Sequence, residues 1–267
     1  MAGFSYDQAI ANAQPPVFFT KAGTAPKAAN VWVDLWGTGG TPTPGAFNTT
    51  LNGAVLTNVT QGGLRFVNPT TAAYLLKFQA SSSVAGALML YDRIWHNGGI
   101  AITTTTAQAI TTPTITRDIN NASGVGAGLI VGMGFSAVST NAAVTNTTLA
   151  YTGDDGNTGT ATIASYVAAA SANTFVPFAF DATKQHAGIR AISGLTLGTS
   201  YLTGTAYLAI IRPIAIVNIA TAGLVYSVDL PNSGVPQLFT SSVLGMMWMS
   251  PTTTAPTITG MFAATQN

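Results

Sequence analysis

The side chains of this chain that could do chemistry are few. Eight acidic residues, all aspartate, stand beside nine Lys and Arg, two histidines and no cysteine. A serine hydrolase would need His96 or His186 near a nucleophile and a carboxylate, and the sequence contains no Gly-x-Ser-x-Gly turn. We therefore expect no catalytic residues and no enzymatic activity. A hydrolase built on two aspartates is the one acid–base arrangement that the composition leaves open.

The densest group of acids is the segment Asp154-Asp155-Gly156-Asn157-Thr158, which could present oxygen ligands to a cation. A calcium loop of the EF-hand type needs alternating ligands and a glutamate at its twelfth position, which is Ser165 here. A turn in which Asp and Asn bond their own backbone accounts for the segment better. Two histidines without a thiol also make a poor metal site, so we expect no metal.

Glycines recur through residues 124–134 and superficially match a dinucleotide-binding fingerprint. A true fingerprint follows a strand and opens a helix whose N-terminus holds the pyrophosphate. Here the glycines continue into an apolar, strand-like stretch, so we predict a strand in close contact with its neighbour. No cofactor is expected.

Aromatic and hydroxyl side chains offer two further possibilities. Trp32, Trp36, Trp95 and Trp248 could form a sugar-binding platform, although tryptophan in a β-protein is more often core or interface. The threonine runs at 103–106, 111–116 and 252–254 are too irregularly spaced for an ice-binding array, and threonine suits exposed strand positions.

Adjacent opposite charges occur at Asp92-Arg93 and Arg117-Asp118, and Arg212 follows a strongly apolar run. Only 6% of the residues are charged, against about a quarter in an ordinary soluble domain. These pairs could be buried or interfacial ion pairs. They could equally form a solvated rim, and the sequence does not rank the two.

The elements that must position these residues are predicted to be β-strands. Thr and Val fill short runs that Gly, Pro, Asn and Asp punctuate, and long helical crossovers are missing. We predict an antiparallel β-sandwich, jelly-roll-like, over residues 88–267, preceded by a less regular N-terminal arm or accessory region at 1–87 that begins with a helix near residues 6–13. Residues 72–93 fit either two strands or a helix and a strand. The predicted strands are 88–95, 100–104, 128–136, 147–151, 159–163, 174–178, 188–197, 204–216, 223–228 and 244–249.

Net charge and hydropathy restrict the partners. The net charge is +1 and the nine bases are scattered, so the electrostatic footprint of a nucleic-acid-binding protein is missing. No apolar run reaches the roughly 18 residues of a membrane-spanning helix, and the N-terminus lacks the pattern of a secretory signal. We expect neither nucleic acid nor membrane as a partner.

Residues 88 to 215 resemble a group of tailed-phage virion proteins. The resemblance rests on Leu90-Tyr-Asp-Arg-Ile-Trp95, the threonine-rich 103–116 segment, Arg117, the glycine-rich stretch 126–134, Thr148-Leu-Ala-Tyr-Thr-Gly153, Phe175-Val-Pro-Phe178, Gly188-Ile-Arg-Ala-Ile192 and Gly204-Thr-Ala-Tyr-Leu-Ala-Ile-Ile-Arg-Pro213. It covers nearly half of the chain and implies a virion component that decorates or cements a capsid, with no catalytic residues to carry over.

The expected partners are other copies of the chain and a major capsid protein or other virion proteins. So little charge is available to solvate a monomer that we expect a homo-oligomer, and the resemblance favours a trimer. The expected location is the virion. Two alternatives stay open: a tail or head-fibre component, and a carbohydrate-binding jelly-roll module.

Overall fold

The chain folds almost entirely into antiparallel strands in a computed structural model that describes residues 5–66, 73–232, 234 and 236–266. One α-helix, α1 (Tyr6–Ala11), and one 3-10 helix (Leu35–Gly37) occur among these residues. The strands found there are β1 (Val17–Ala22), β2 (Trp32–Asp34), β3 (Gly40–Thr41), β4 (Ala54–Val55), β5 (Ala73–Ser82), β6 (Gly86–His96), β7 (Gln108–Ala109), β8 (Ile130–Ala137), β9 (Val144–Gly153), β10 (Thr158–Tyr166), β11 (Thr174–Pro177), β12 (Ile189–Thr196), β13 (Thr205–Ile219), β14 (Tyr226–Asp229), β15 (Gln237–Leu238), β16 (Leu244–Met249) and β17 (Thr257–Gln266).

Six strands form a closed sheet at the centre of the molecule. Its order is β13-β8-β11-β2-β16-β6, and β6 pairs back onto β13 to close the ring. The long strands β6 and β13 are paired from His96 opposite Ala209 to Gly86 opposite Ile219. The short strand β4 pairs with one end of β6.

Two further sheets cover the closed sheet on different sides. The first outer sheet has the order β14-β5-β17-β1-β3, with β15 also paired to β5, and the second has the order β10-β9-β12-β7. Phe78 and Phe262 of the first outer sheet share a core with Leu90 of β6. Leu149 of the second outer sheet shares another core with Leu208 of β13. A third core, which includes Met89 of β6 and Met247 of β16, is formed by residues of the closed sheet itself. The closed sheet is therefore packed on both its inner and outer surfaces.

This layering explains the sequence of the central strands. Burial varies along the outer strand β5, because only one of its faces meets a core: Leu75 and Phe78 are buried, whereas Gln79 is half-buried. In β6, by contrast, the last ten residues are all buried. A strand covered on both faces is apolar almost throughout, and its few polar side chains must find partners inside the protein.

The all-β, antiparallel class predicted from the sequence is confirmed. Most predicted strands are present within a few residues of their expected bounds, and residues 72–93 form two strands, β5 and β6. The helix near 6–13 is confirmed as α1, which Ser5 caps through a reciprocal pair of hydrogen bonds with Gln8. The strand predicted at 100–104 is wrong. There the side-chain amide of Gln108 bonds both backbone groups of Ala101 and replaces a strand partner.

The first 87 residues supply strands to two of the three sheets. β1 pairs with β17, and β2 pairs with β11 and β16, so hydrogen bonding joins the two predicted regions. The division at residue 87 stays a prediction as a domain boundary. In the part of the chain that the structure describes, no helix is long and apolar enough for a membrane crossing.

Candidate functional site: buried ion pairs and an uncharged outer face

A buried ion pair lies inside the closed sheet. Asp34, at the end of β2, meets Arg93 of β6, with 2.6 Å between Oδ2 and Nη1 and neither side chain exposed. The hydroxyl of Tyr91 donates to Asp34 Oδ1 at 2.7 Å, and that of Tyr207 donates to Oδ2 at 2.8 Å. The backbone N–H of Trp36 adds a fourth hydrogen bond. One carboxylate thus joins three strands of the ring: β2, β6 and β13.

The guanidinium of Arg93 is enclosed by rings. Its central carbon lies 4.9 Å from the Trp36 ring centroid, 5.7 Å from that of Phe47 and 5.3 Å from that of Tyr207. Its Nε donates to Nδ1 of His96 at 2.9 Å. Burial, with the Arg93 charge second, lowers the pKa of His96 to about 2. His96 is therefore a neutral acceptor at physiological pH.

A second ion cluster lies on the outer surface of the closed sheet, centred on Asp92. Arg117 binds both carboxylate oxygens, through Nε at 2.9 Å and Nη2 at 2.8 Å. Ser242 Oγ and the Val243 backbone N–H donate to the same carboxylate at 2.7 and 2.8 Å. Arg212 approaches at 3.5 Å. Because Asp92 and Arg93 are neighbours on a strand, their side chains point to opposite surfaces and belong to different clusters.

These clusters resolve the question that the sequence left open. The charges at 92–93, 117–118 and 212 are buried and do not form a solvated rim. The partners are not the sequence neighbours, however, and Asp34 and the buried Lys21 were not singled out by the sequence. A lone aspartate within the apolar stretch 31–36 was the available signal for Asp34.

The ionic side chains of the two clusters are between 0% and 4% exposed, so both clusters lie beneath the protein surface. Breaking a buried pair leaves an unpaired charge and is strongly destabilising. The arrangement holds strands and loops in place. Arg117, for example, also donates to the carbonyl of Leu56, which links a loop distant in sequence to β6.

The loop at 154–158 forms the predicted turn. The Asn157 backbone and side-chain N–H groups both donate to the Asp155 carboxylate. Among the described residues, no group of three His, Cys, Asp or Glu side chains could hold a metal ion. The second histidine, His186, is buried beside this loop: its Nδ1 lies 2.7 Å from the Tyr151 hydroxyl and its Nε2 lies 3.1 Å from Asp155.

The second half of the glycine-rich stretch, residues 130–134, lies in strand β8 as predicted, whereas Gly124, Gly126 and Gly128 precede the strand. The glycines of β8 make the close contacts that glycine permits. A Cβ at Gly132 would lie 2.3 Å from the Phe175 ring, and one at Gly134 would lie 2.3 Å from the Tyr207 ring. β8 is followed by an irregular segment and then by β9, so these glycines do not lead into the helix that a dinucleotide fingerprint requires.

The tryptophan platform is not formed. Trp36, Trp95 and Trp248 are at most 1% exposed and belong to cores of the protein. Only Trp32 of the four is partly accessible. Threonine runs 103–106 and 252–254 lie in irregular segments, which offer no flat array.

Burial of charge leaves the molecular surface almost uncharged. Seven of the seventeen charged residues are buried, so ten, five acidic and five basic, lie on a surface of 10681 Å². Lysine, arginine and aspartate are almost never fully buried unless paired, which makes this fraction unusual. The buried seven are Lys21, Asp34, Asp92, Arg93, Arg117, Asp118 and Arg212.

The solvent side of the first outer sheet, here called the outer face, is the candidate interaction surface. Phe18 of β1 is 68% exposed there, and Val225, just before β14, is 61% exposed. Phe18 is paired in register with Met261 of β17, which is paired in turn with Gln79 of β5. A pocket of about 320 Å³ opens on this face. Phe18, Val225 and Met261 all line this pocket, and a contiguous exposed apolar patch is a candidate interaction site.

Comparisons with known proteins reveal only weak structural similarity. No family model matches the chain, and no curated protein matches it. The crystal structure of the infectious bursal disease virus VP2 subviral particle is 10% identical, with 95% of this chain and 80% of that chain covered and a TM-score of 0.23. The structure of the Gx strain of the same virus is also 10% identical, with 96% and 80% covered and a TM-score of 0.21. The similarity to these viral particle proteins is weak, and at such scores nothing further follows from it.

Proposed function

We propose that the protein is a non-enzymatic structural component of a virion that coats or cements the capsid shell of a tailed phage. The observation that carries the proposal is the distribution of charge. A surface with ten scattered formal charges is poorly suited to remain solvated on all sides. It is well suited to contact with neighbouring subunits, because the centres of protein interfaces are depleted in charge.

The chemistry of the interior supports a structural role as well. The acids Asp34 and Asp92 each accept at least four hydrogen bonds or ion-pair contacts from neighbouring groups. Groups so fully engaged and so deeply buried hold strands together, and a catalytic acid or base must instead meet a substrate. The proposal therefore includes no catalytic residue and no cofactor.

The partners we propose are other copies of the chain and the major capsid protein or another virion protein. A trimer is the preferred homo-oligomer because the resemblance to tailed-phage virion proteins favours it. Contacts to the shell would be apolar and main-chain contacts rather than salt bridges, since the surface has few charges to offer.

The proposal is tested on purified particles that carry a labelled form of this chain. Direct imaging should place the label on the capsid shell. A label on the tail would reject the capsid role and support the tail-component alternative. A label absent from particles altogether would reject a virion role.

A further inference from the structure

The outer face carries both a projecting side chain and a pocket that could receive it. Phe18 projects from β1 with about two thirds of its side chain exposed. Phe18 itself forms one wall of the pocket of about 320 Å³, and Gln79, Ser81, Thr259 and Met261 lie in the other walls. Apolar atoms contribute most of the accessible lining of this pocket. The Phe18 ring of a second copy could therefore pack against the apolar lining of this pocket, including the Phe18 ring at its edge.

Charge does not oppose the meeting of two such faces. Among the described residues that line the pocket, none has a formally charged side chain. Lys77 and Asp229 lie towards one end of the face and are paired in register, so their charges are opposite and adjacent. A face with net charge would repel its own copy, whereas this face is neutral.

The size of the face also fits a stable contact. Five strands about 4.8 Å apart span about 24 Å, and ten residues of β5 or β17 span about 34 Å. The product, about 800 Å², is an upper bound on the flat area of the sheet, because β3 and β14 are much shorter than β5 and β17. It is comparable with the roughly 800 Å² of accessible surface that each partner buries in a standard protein interface.

We propose that the outer face binds a second copy of this chain about a two-fold axis, with Phe18 of each protomer seated in the pocket of its partner. An interface in which the same patch serves both subunits is isologous and closes as a dimer. The contact exists in the free protein and does not depend on a capsid. It differs from the trimer favoured by the resemblance, and an assembly with both contacts would contain six chains.

The test is the mass of the purified full-length chain, measured by sedimentation equilibrium across a concentration series. The wild-type chain should give two chains or six. Phe18→Asp should raise the dissociation constant of the two-fold contact by at least about thirtyfold, as expected for loss of a central aromatic anchor. Thr259→Arg, which fills the pocket, should do the same. Val138→Asp is the matched control, since Val138 is an exposed apolar residue (56%) on another part of the molecule; it should leave the mass unchanged.

Mixing the two disruptive variants separates a two-fold contact from general stickiness. In each variant alone, every Phe18-to-pocket contact is lost. In a mixed pair, Phe18 of the Thr259→Arg chain meets a pocket that keeps Thr259, and at the other contact the introduced Asp and Arg side chains have opposite charges, so association should recover in part. Circular dichroism of each variant should match the wild type. A wild-type mass of one or three chains, a mass unaffected by Phe18→Asp, or no recovery on mixing would each overturn the proposal.

Discussion

Acid should destabilise the protein through His96. In the folded chain the pKa of His96 is lowered to about 2 by burial and by the Arg93 charge, against an ordinary value of 6.5. Below pH 6.5 the unfolded chain therefore binds one more proton at this site than the folded chain. The free energy of unfolding is then unaffected by His96 above pH 6.5 and falls as the pH falls from 6.5 towards 2.

The size of the effect follows from linkage. A proton that only the unfolded chain binds lowers the free energy of unfolding by about 1.4 kcal/mol for each pH unit below the unfolded pKa. Two units below that pKa, the loss is about 2.7 kcal/mol. Between pH 7.5 and 4.5 we expect the wild-type free energy of unfolding to fall by about this amount because of His96. Aspartates with ordinary pKa values near 3.9 stay mostly ionised in this range. The change in stability between pH 7.5 and 4.5 should therefore come more from the histidine than from these aspartates.

The assay is urea unfolding at several pH values for the wild type, His96→Gln and His186→Gln. Glutamine at position 96 can still accept the hydrogen bond from Arg93 Nε but does not titrate. Any change in absolute stability from this substitution is a constant offset, whereas the pH dependence should be flatter than that of the wild type by about 2.7 kcal/mol over this range. His186→Gln is the control for loss of a histidine elsewhere and should keep the His96 contribution. An equal pH dependence in the wild type and His96→Gln would refute the reasoning.

Three further predictions concern stability. Asp34→Ala leaves a buried guanidinium unpaired and should cost about 3–5 kcal/mol by urea unfolding, whereas the exposed Asp7→Ala should change stability by less than about 0.5 kcal/mol; equal effects would contradict the buried-pair account. Gly134→Ala places a Cβ against a tyrosine ring and should lower the free energy of unfolding by about 1–3 kcal/mol. Gly39→Ala, whose added Cβ would meet nothing within 4 Å, should not lower it by this amount. Equal thermal unfolding midpoints for the two variants would show that the close contact does not matter. Burial lowers the pKa of Lys21 to about 8 from 10.5, so stability should rise as the pH rises from 8 to 10.5, and Lys21→Met should remove that rise; a rise that persists in Lys21→Met would exclude Lys21 as its source.

The strand content could be predicted because local patterns specify it. Short runs of Thr, Val and Ile between Gly, Asn and Asp residues correspond to β8 to β13 and to β16. β17 was missed because Gly260 and several small residues interrupt its apolar pattern. The closed sheet could not be predicted, since its closure depends on pairings between strands distant in sequence, such as β2 with β16.

The candidate site could likewise be predicted only in part from the sequence. Composition alone indicated a surface poor in charge. It could not indicate that Arg93 would pair with Asp34, 59 residues away, or that Asp92 would pair with Arg117. Likewise, the exposure of Phe18 depends on the register of β1 against β17 and on which face of that sheet meets the core. Such facts are set by long-range packing and not by local sequence.

An almost uncharged surface is proposed to hold this chain on a capsid. The most direct measurement is the fraction retained on purified particles as the salt concentration is raised to about 1 M, where the Debye length is only about 3 Å. Apolar and main-chain contacts should keep the chain bound across the whole series. Release at moderate salt would contradict the account, because it would show that ion pairs between exposed charges hold the protein in place.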